Sequence, residues 1–206
     1  MNMNIVNKFL PSQCYTAVNT KKTRICLHHT VSSPLSIDGD IATWSATRNV
    51  ATHYIIGHDG TIFQCIPENY WAHHLGIRRA DNTQLNKETI GIEIDAWGPL
   101  TLSGNKYMTA YGKEMDGSLP VEELYQPFRG YSYFQKDLAA QIDALYMLIL
   151  NLSIEHDIPR AGLNKTLNFE LLNDFSAAGI YSHTNFRADK SDVYPARYLI
   201  AMLKIL

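Results

Sequence analysis

Apolar and polar positions along this chain change their spacing several times, and each change predicts an element. Thr23 to His29, centred on Ile25-Cys26-Leu27, reads as a buried strand that ends in two histidines and runs into a polar loop, Thr30-Val31-Ser32-Ser33-Pro34. Asp38 is placed to cap a short helix that presents Ile41 and Trp44 on one face. Thr52 to Ile56 and Thr61 to Ile66 flank Gly57-His58-Asp59-Gly60, and the Asp-Gly pair predicts a hairpin. Thr89 to Ile94 is a further β-branched strand.

From Gly98 to Tyr133 the pattern loosens into glycines, prolines and tyrosines with no helical period. This stretch predicts a surface insertion: a β-hairpin around Ser103-Gly104-Asn105, a turn at Asp116-Gly117, then a loop. Its tyrosines either wall a groove or pack over the sheet. Ser132 and Gln135 have capping-box spacing ahead of a helix whose apolar stripe is Leu138, Ile142, Leu145, Ile149 and Leu152. A shorter helix is expected with Leu171, Leu172 and Phe175 inward, ending at Gly179. Ile180 to His183 suits a last strand, and Pro195 opens a terminal helix carrying Leu199, Met202 and Leu203. Strands alternating with helices predict an α/β fold with a mixed central sheet flanked by helices.

At 206 residues, without repeats or linkers, the chain fits one domain covering residues 1–206, with no second module. A net charge of −2 argues against nucleic acid as a partner, since a phosphate binder carries a basic excess. No stretch is long and apolar enough to insert into a membrane, and the amino terminus lacks the pattern of a signal peptide. Synthesis in the cytoplasm and a monomer are the expectations. Cys14, Cys26 and Cys65 form no CxxC pair and read as reduced, partly buried thiols.

The chemistry lies in split histidines and carboxylates. His28-His29 close the first strand, and His183 precedes Asp192 by nine positions. Two imidazoles and one carboxylate suit zinc and leave a fourth position for water, which points to hydrolysis. Neighbours on a strand face opposite ways, so only one of His28 and His29 can serve a given metal. Lys190, two residues before Asp192, could face a developing oxyanion. Glu93 is embedded in Ile90-Gly91-Ile92-Glu93-Ile94 and either points to solvent or acts as a buried general base. His53 reads as a core or supporting residue, His58 as a turn residue, and His156 as a cation at a helix carboxyl end.

Together these segments resemble one family. His28-His29-Thr30, Thr52-His53-Tyr54-Ile55-Ile56 with Asp59-Gly60-Thr61-Ile62, Ala72-His73-His74-Leu75-Gly76, Thr89 to Glu93, His183 and Lys190-Ser191-Asp192 follow the order found in zinc-dependent N-acetylmuramoyl-L-alanine amidases. That family includes phage endolysins and peptidoglycan-recognition proteins, and the resemblance covers residues 22–97 and 134–206. It implies an amidase-like α/β fold, zinc held by His28, His183 and Asp192, Glu93 and Lys190 as catalytic residues, and His74 lining the substrate groove. Some members place a tyrosine where Thr52 stands here, which gives Glu93 more weight. The Asp-Pro-Gly common at the third ligand is replaced by Asp192-Val193-Tyr194-Pro195.

The resemblance further implies hydrolysis of the amide between N-acetylmuramic acid and L-alanine, with peptidoglycan or muropeptides as partners. The expected setting is an endolysin that reaches the wall after holin-type release. A non-catalytic peptidoglycan-binding protein and a bacterial amidase for soluble muropeptides are the alternatives.

Overall fold

The computed structural model describes residues 3–160 and 169–206. The main sheet contains β1 (Ile5–Asn7), β2 (Arg24–His29), β3 (Tyr54–Ile56), β4 (Ile62–Gln64), β5 (Thr89–Ile94) and β10 (Gly179–Ser182), in the order β1-β4-β3-β5-β2-β10. All its pairs are parallel except the β3–β4 hairpin, so the sheet is mixed. The helices are α1 (Ile37–Ser45), α2 (Asn82–Glu88), α3 (Ala139–Glu155), the short α4 (His183–Phe186) and α5 (Arg197–Leu203).

β2, β3 and β5 are buried on both faces, which is why they read as nearly unbroken apolar runs. Ile25, Leu27, Tyr54, Ile56, Ile90, Ile92 and Ile94 share one core with Ile142, Leu145, Leu148, Ile149 and Leu152 of α3 and Leu199 of α5. Truncating any of these α3 side chains to alanine removes roughly 2–5 kcal/mol. Alternation sends Cys26 and Ile55 into two other clusters, and the same alternation sends His28 and Glu93 away from α3.

The stripe of α3 is as expected from the sequence, but its start is not. Ser132 and Gln135 lie in strand β9 (Tyr131–Gln135), and the helix is capped at Leu138, whose N–H donates to Gln141 Oε1 at 3.1 Å. Gln141 Nε2 donates in turn to the carbonyl of Asp95 at 2.9 Å, which ties α3 to the carboxyl end of β5. Pairing with the strands at Pro99–Ser103 and Val121–Phe128 holds this segment as a strand, with Gln135 Oε1 accepting from Trp97 N–H at 2.8 Å, and periodicity carries no information on that.

The insertion also differs. The hairpin at Ser103 to Lys106 is present between β6 (Pro99–Ser103) and β7 (Lys106–Thr109). The expected loop beyond it is instead a second hairpin, β8 (Val121–Phe128) with β9, and the four strands form a separate sheet in the order β7-β6-β9-β8. β8 is an edge strand with no buried residue, so it lacks alternation and tolerates Pro127. The helix expected to end at Gly179 does not form. Asp174 accepts from Ser176 N–H, and Arg24 donates to the carbonyl of Phe175, so side chains satisfy this segment as a turn. Phe175 still packs inward, against Tyr181 and Phe186. The terminal helix begins at Arg197, two residues after Pro195.

Candidate active site

His28 is the fifth residue of β2, and register pairs it with Glu93 on β5. β10 lies parallel on the other side of β2, with Ser182 opposite Leu27. His183 is the next residue, so the sheet delivers it beside His28 although 155 positions separate them. Asp192 is brought back by its own backbone, whose carbonyl accepts from Thr184 N–H at 3.1 Å.

The three side chains converge. His28 Nδ1 lies 3.0 Å from His183 Nδ1, His183 Nδ1 is 2.8 Å from Asp192 Oδ2, and His28 Nδ1 is 3.4 Å from the same oxygen. The loop at Val193-Tyr194-Pro195 therefore does not keep Asp192 away. All three residues are buried. A tetrahedral zinc with bonds near 2.0–2.1 Å separates its ligand atoms by roughly 3.4 Å, close to this spacing.

Hydrogen bonds behind the imidazoles set their tautomers. His183 Nε2 donates to the carbonyl of Leu75 at 3.0 Å, which leaves Nδ1 as a lone pair. His74 Nε2 faces the carbonyl of Thr89 at 3.3 Å, so His74 Nδ1 accepts from His28 Nε2 at 3.0 Å. His28 Nδ1 is thereby also a lone pair, aimed at the same point as that of His183. Two lone pairs and a carboxylate oxygen crowded together repel one another unless a cation lies between them. The donor set fits zinc.

Electrostatics agree with this. Burial, and next His183, depress His28 to about 4, so its imidazole is neutral near pH 7. Burial favours protonated Asp192, but positive charge shared with the adjacent His183 and His28 outweighs it and holds the carboxyl well below its ordinary value, the part a metal cation would take. Burial and the nearby Asp192 push Glu93 well above the ordinary carboxylate range, with Lys190 pulling the other way. Among the described residues Glu93 Oε2 has no hydrogen-bond partner, which suits a group that exchanges a proton with a reactant. Cys26 also lies near His28 and His74, but burial raises its thiol well above normal and it stays protonated. The Glu68, Glu155 and His156 group elsewhere has its Glu68 already engaged by Tyr54 and His156.

His28, His183, Asp192, Glu93, Lys190 and His74 all line one cleft of about 250 Å³. Among the described residues, a larger apolar groove of about 540 Å³ between α3 and α5 carries Asp143 but no histidine, cysteine or basic residue, so the candidate chemistry lies in the smaller cleft. His29 faces the opposite side of the sheet, where its Nε2 sits 3.4 Å from Asp137 and its ring packs on Tyr194. His53 is buried and accepts from Gly91 N–H through Nδ1. His156 caps α3 at its carboxyl end. All three cysteines are free and buried. Sequence reasoning missed the carbonyl of Leu75, which carries no residue-type signal. It also missed Asn86, whose Oδ1 accepts from the N–H groups of His74 and Leu75 and holds that loop in place.

The family model for N-acetylmuramoyl-L-alanine amidases matches residues 19–195. The chain belongs to this family. The expected enzyme class is borne out, and members act on peptidoglycan or muropeptides. None of the curated proteins matches the chain. Among solved structures, a mutant endolysin from Bacillus subtilis is 18% identical, with 93% of this chain and 90% of that one covered at a TM-score of 0.54. The N-acetylmuramoyl-L-alanine amidase LysC from Clostridium intestinale URNW is 17% identical, with 99% and 97% covered at a TM-score of 0.55. The ectodomain complex of peptidoglycan recognition proteins LCa and LCx, bound to tracheal cytotoxin, is 13% identical over 98% and 95%, at a TM-score of 0.52. At these identities the neighbours establish the mixed α/β fold with its flanked central sheet.

Proposed function

We propose that the chain is a zinc-dependent hydrolase that cuts the amide between the lactyl group of N-acetylmuramic acid and L-alanine of the stem peptide. The convergence of His28, His183 and Asp192 beside Glu93 in one cleft carries this reading. His28, His183 and Asp192 would hold the metal, which supplies Lewis acidity toward the amide carbonyl and makes water acidic enough to ionise near neutral pH.

The side chains do the rest. Glu93, raised by burial, accepts a proton from the attacking water and passes it to the departing L-alanine nitrogen. Lys190 lines the cleft and faces the oxyanion that forms on the amide carbonyl oxygen when water adds to the carbon, a contact worth on the order of 3 kcal/mol in the barrier. His74 holds the tautomer of His28 from behind and borders the groove that takes the substrate. The wall-lytic, endolysin-type setting draws support from the endolysin among the structural neighbours. In this reading another protein opens the way to the wall; no helix among the described residues is long and apolar enough to cross a membrane.

Mass spectrometry of peptidoglycan digested with and without a chelator tests the proposal. New free L-alanine amino termini, lost on chelation, are the expected result. New reducing sugar ends, or digestion indifferent to the chelator, would overturn it.

A further inference from the structure

The insertion sheet reaches the catalytic cleft through one residue. Tyr111 follows β7 and lines the same cleft as His28, Glu93, Lys190 and Asp192. Its backbone is held: Gly112 N–H donates to the carbonyl of Thr109 at 2.9 Å, and Thr109 N–H donates to the carbonyl of Lys113 at 2.8 Å. Gly112 takes a φ of +70°, the left-handed region that lets the chain turn here. Tyr111 is nonetheless 67% exposed. Among the described residues its side chain has no hydrogen bond and no ring partner.

The other aromatic residue of the cleft, Trp44 of α1, is half-buried against a core cluster containing Ile55 and Cys65, so packing accounts for it. Packing does not account for Tyr111. A large ring carried on a hydrogen-bonded turn at the mouth of the cleft presents a flat apolar face to whatever ligand the cleft takes. The insertion's other residues place no charge in the cleft, and among the described residues Lys190 is the one lysine or arginine that lines it. A stem peptide with carboxylates calls for cations, whereas the C–H face of a sugar ring calls for a neutral aromatic plane.

We propose that Tyr111 is a substrate-positioning residue that stacks on an N-acetylated sugar ring of the glycan. The substrate class rests on the amidase reading, and the location rests on the cleft. The stacking adds binding without touching the scissile amide, so it makes the enzyme favour glycan-bearing substrates over sugar-free peptides.

Equilibrium binding of two probes separates the roles: a peptide-free N-acetylglucosaminyl–N-acetylmuramic acid disaccharide, and the free stem peptide. Tyr111→Ala should weaken disaccharide binding by about fivefold or more while Tyr111→Phe retains it and the peptide is unaffected. Unchanged disaccharide binding in Tyr111→Ala, an equal loss for the peptide, or no disaccharide binding by the parent protein would overturn the assignment. Binding does not require turnover. Tyr111-dependent disaccharide binding without release of L-alanine termini would leave this assignment standing and sink the amidase reading alone.

Discussion

Glu93 stands directly opposite His28 in the β2–β5 ladder, and both side chains point away from α3. Neighbouring strands lie about 4.8 Å apart, so backbone pairing alone places the candidate base beside a candidate metal ligand. Neither residue needs a flexible loop to bring it there, which favours a site held ready for the reaction.

Glu93→Gln should retain zinc, because both imidazoles and Asp192 remain. Turnover should fall by roughly 10²- to 10⁴-fold, the usual worth of a general base. Metal content and initial rates measured on the same preparation decide the matter. Near-normal turnover would remove Glu93 from the base role.

The same substitution should act oppositely on stability. Glu93 has a raised carboxyl in the fold, so the native state holds that proton more tightly than the unfolded chain does. Stability is therefore lost as pH rises from the unfolded value, about 4.3, through the raised native value. In chelator-treated protein, Glu93→Gln should unfold at a higher temperature than the parent at pH 7 and together with it at pH 4. A lower unfolding temperature at pH 7 would show that ionised Glu93 is stabilised by contacts the structure does not contain.

His74→Ala leaves His28 Nε2 without its acceptor. The ring is then free to turn or change tautomer, and zinc affinity should drop about 10- to 100-fold. Competition against a chelator of known affinity measures this. An unchanged affinity would mean that the strand alone holds His28.

Gly91→Ala should reproduce part of that loss from a distance. A Cβ on Gly91 would come within 2.9 Å of Thr52 Cγ2 and 3.0 Å of His74 Nδ1, the atom that accepts from His28. Overpacking of this kind costs about 1–3 kcal/mol of stability. If the loss of zinc affinity travels through His74, the Gly91→Ala and His74→Ala effects on affinity should not add. Full additivity would break that link.

Much of the site could be read along the chain, for a local reason. Strand alternation allowed only one of His28 and His29 to reach a metal, and the two do face opposite sides of the sheet. The resemblance chose His28, the residue that meets His183 and Asp192. For Glu93 the residue pattern left two directions open, since an apolar strand with one acid fits either face. Burial on both sides of the sheet closed that choice.

What the sequence by itself determined is what backbone period and turn chemistry encode over a few residues: the β3–β4 hairpin, the stripe of α3, and the opposed faces of the histidine pair. Tertiary structure alone decided that β10 lies beside β2, which brings His183 within 3.0 Å of His28, and that Asp192 returns to complete the set. It also decided the second hairpin of the insertion and the replacement of the expected helix before Gly179 by a turn held by Asp174 and Arg24. Periodicity is a property of one segment. Strand order, loop closure and the partner of a backbone carbonyl such as that of Leu75 depend on where distant segments meet, and no local pattern encodes that.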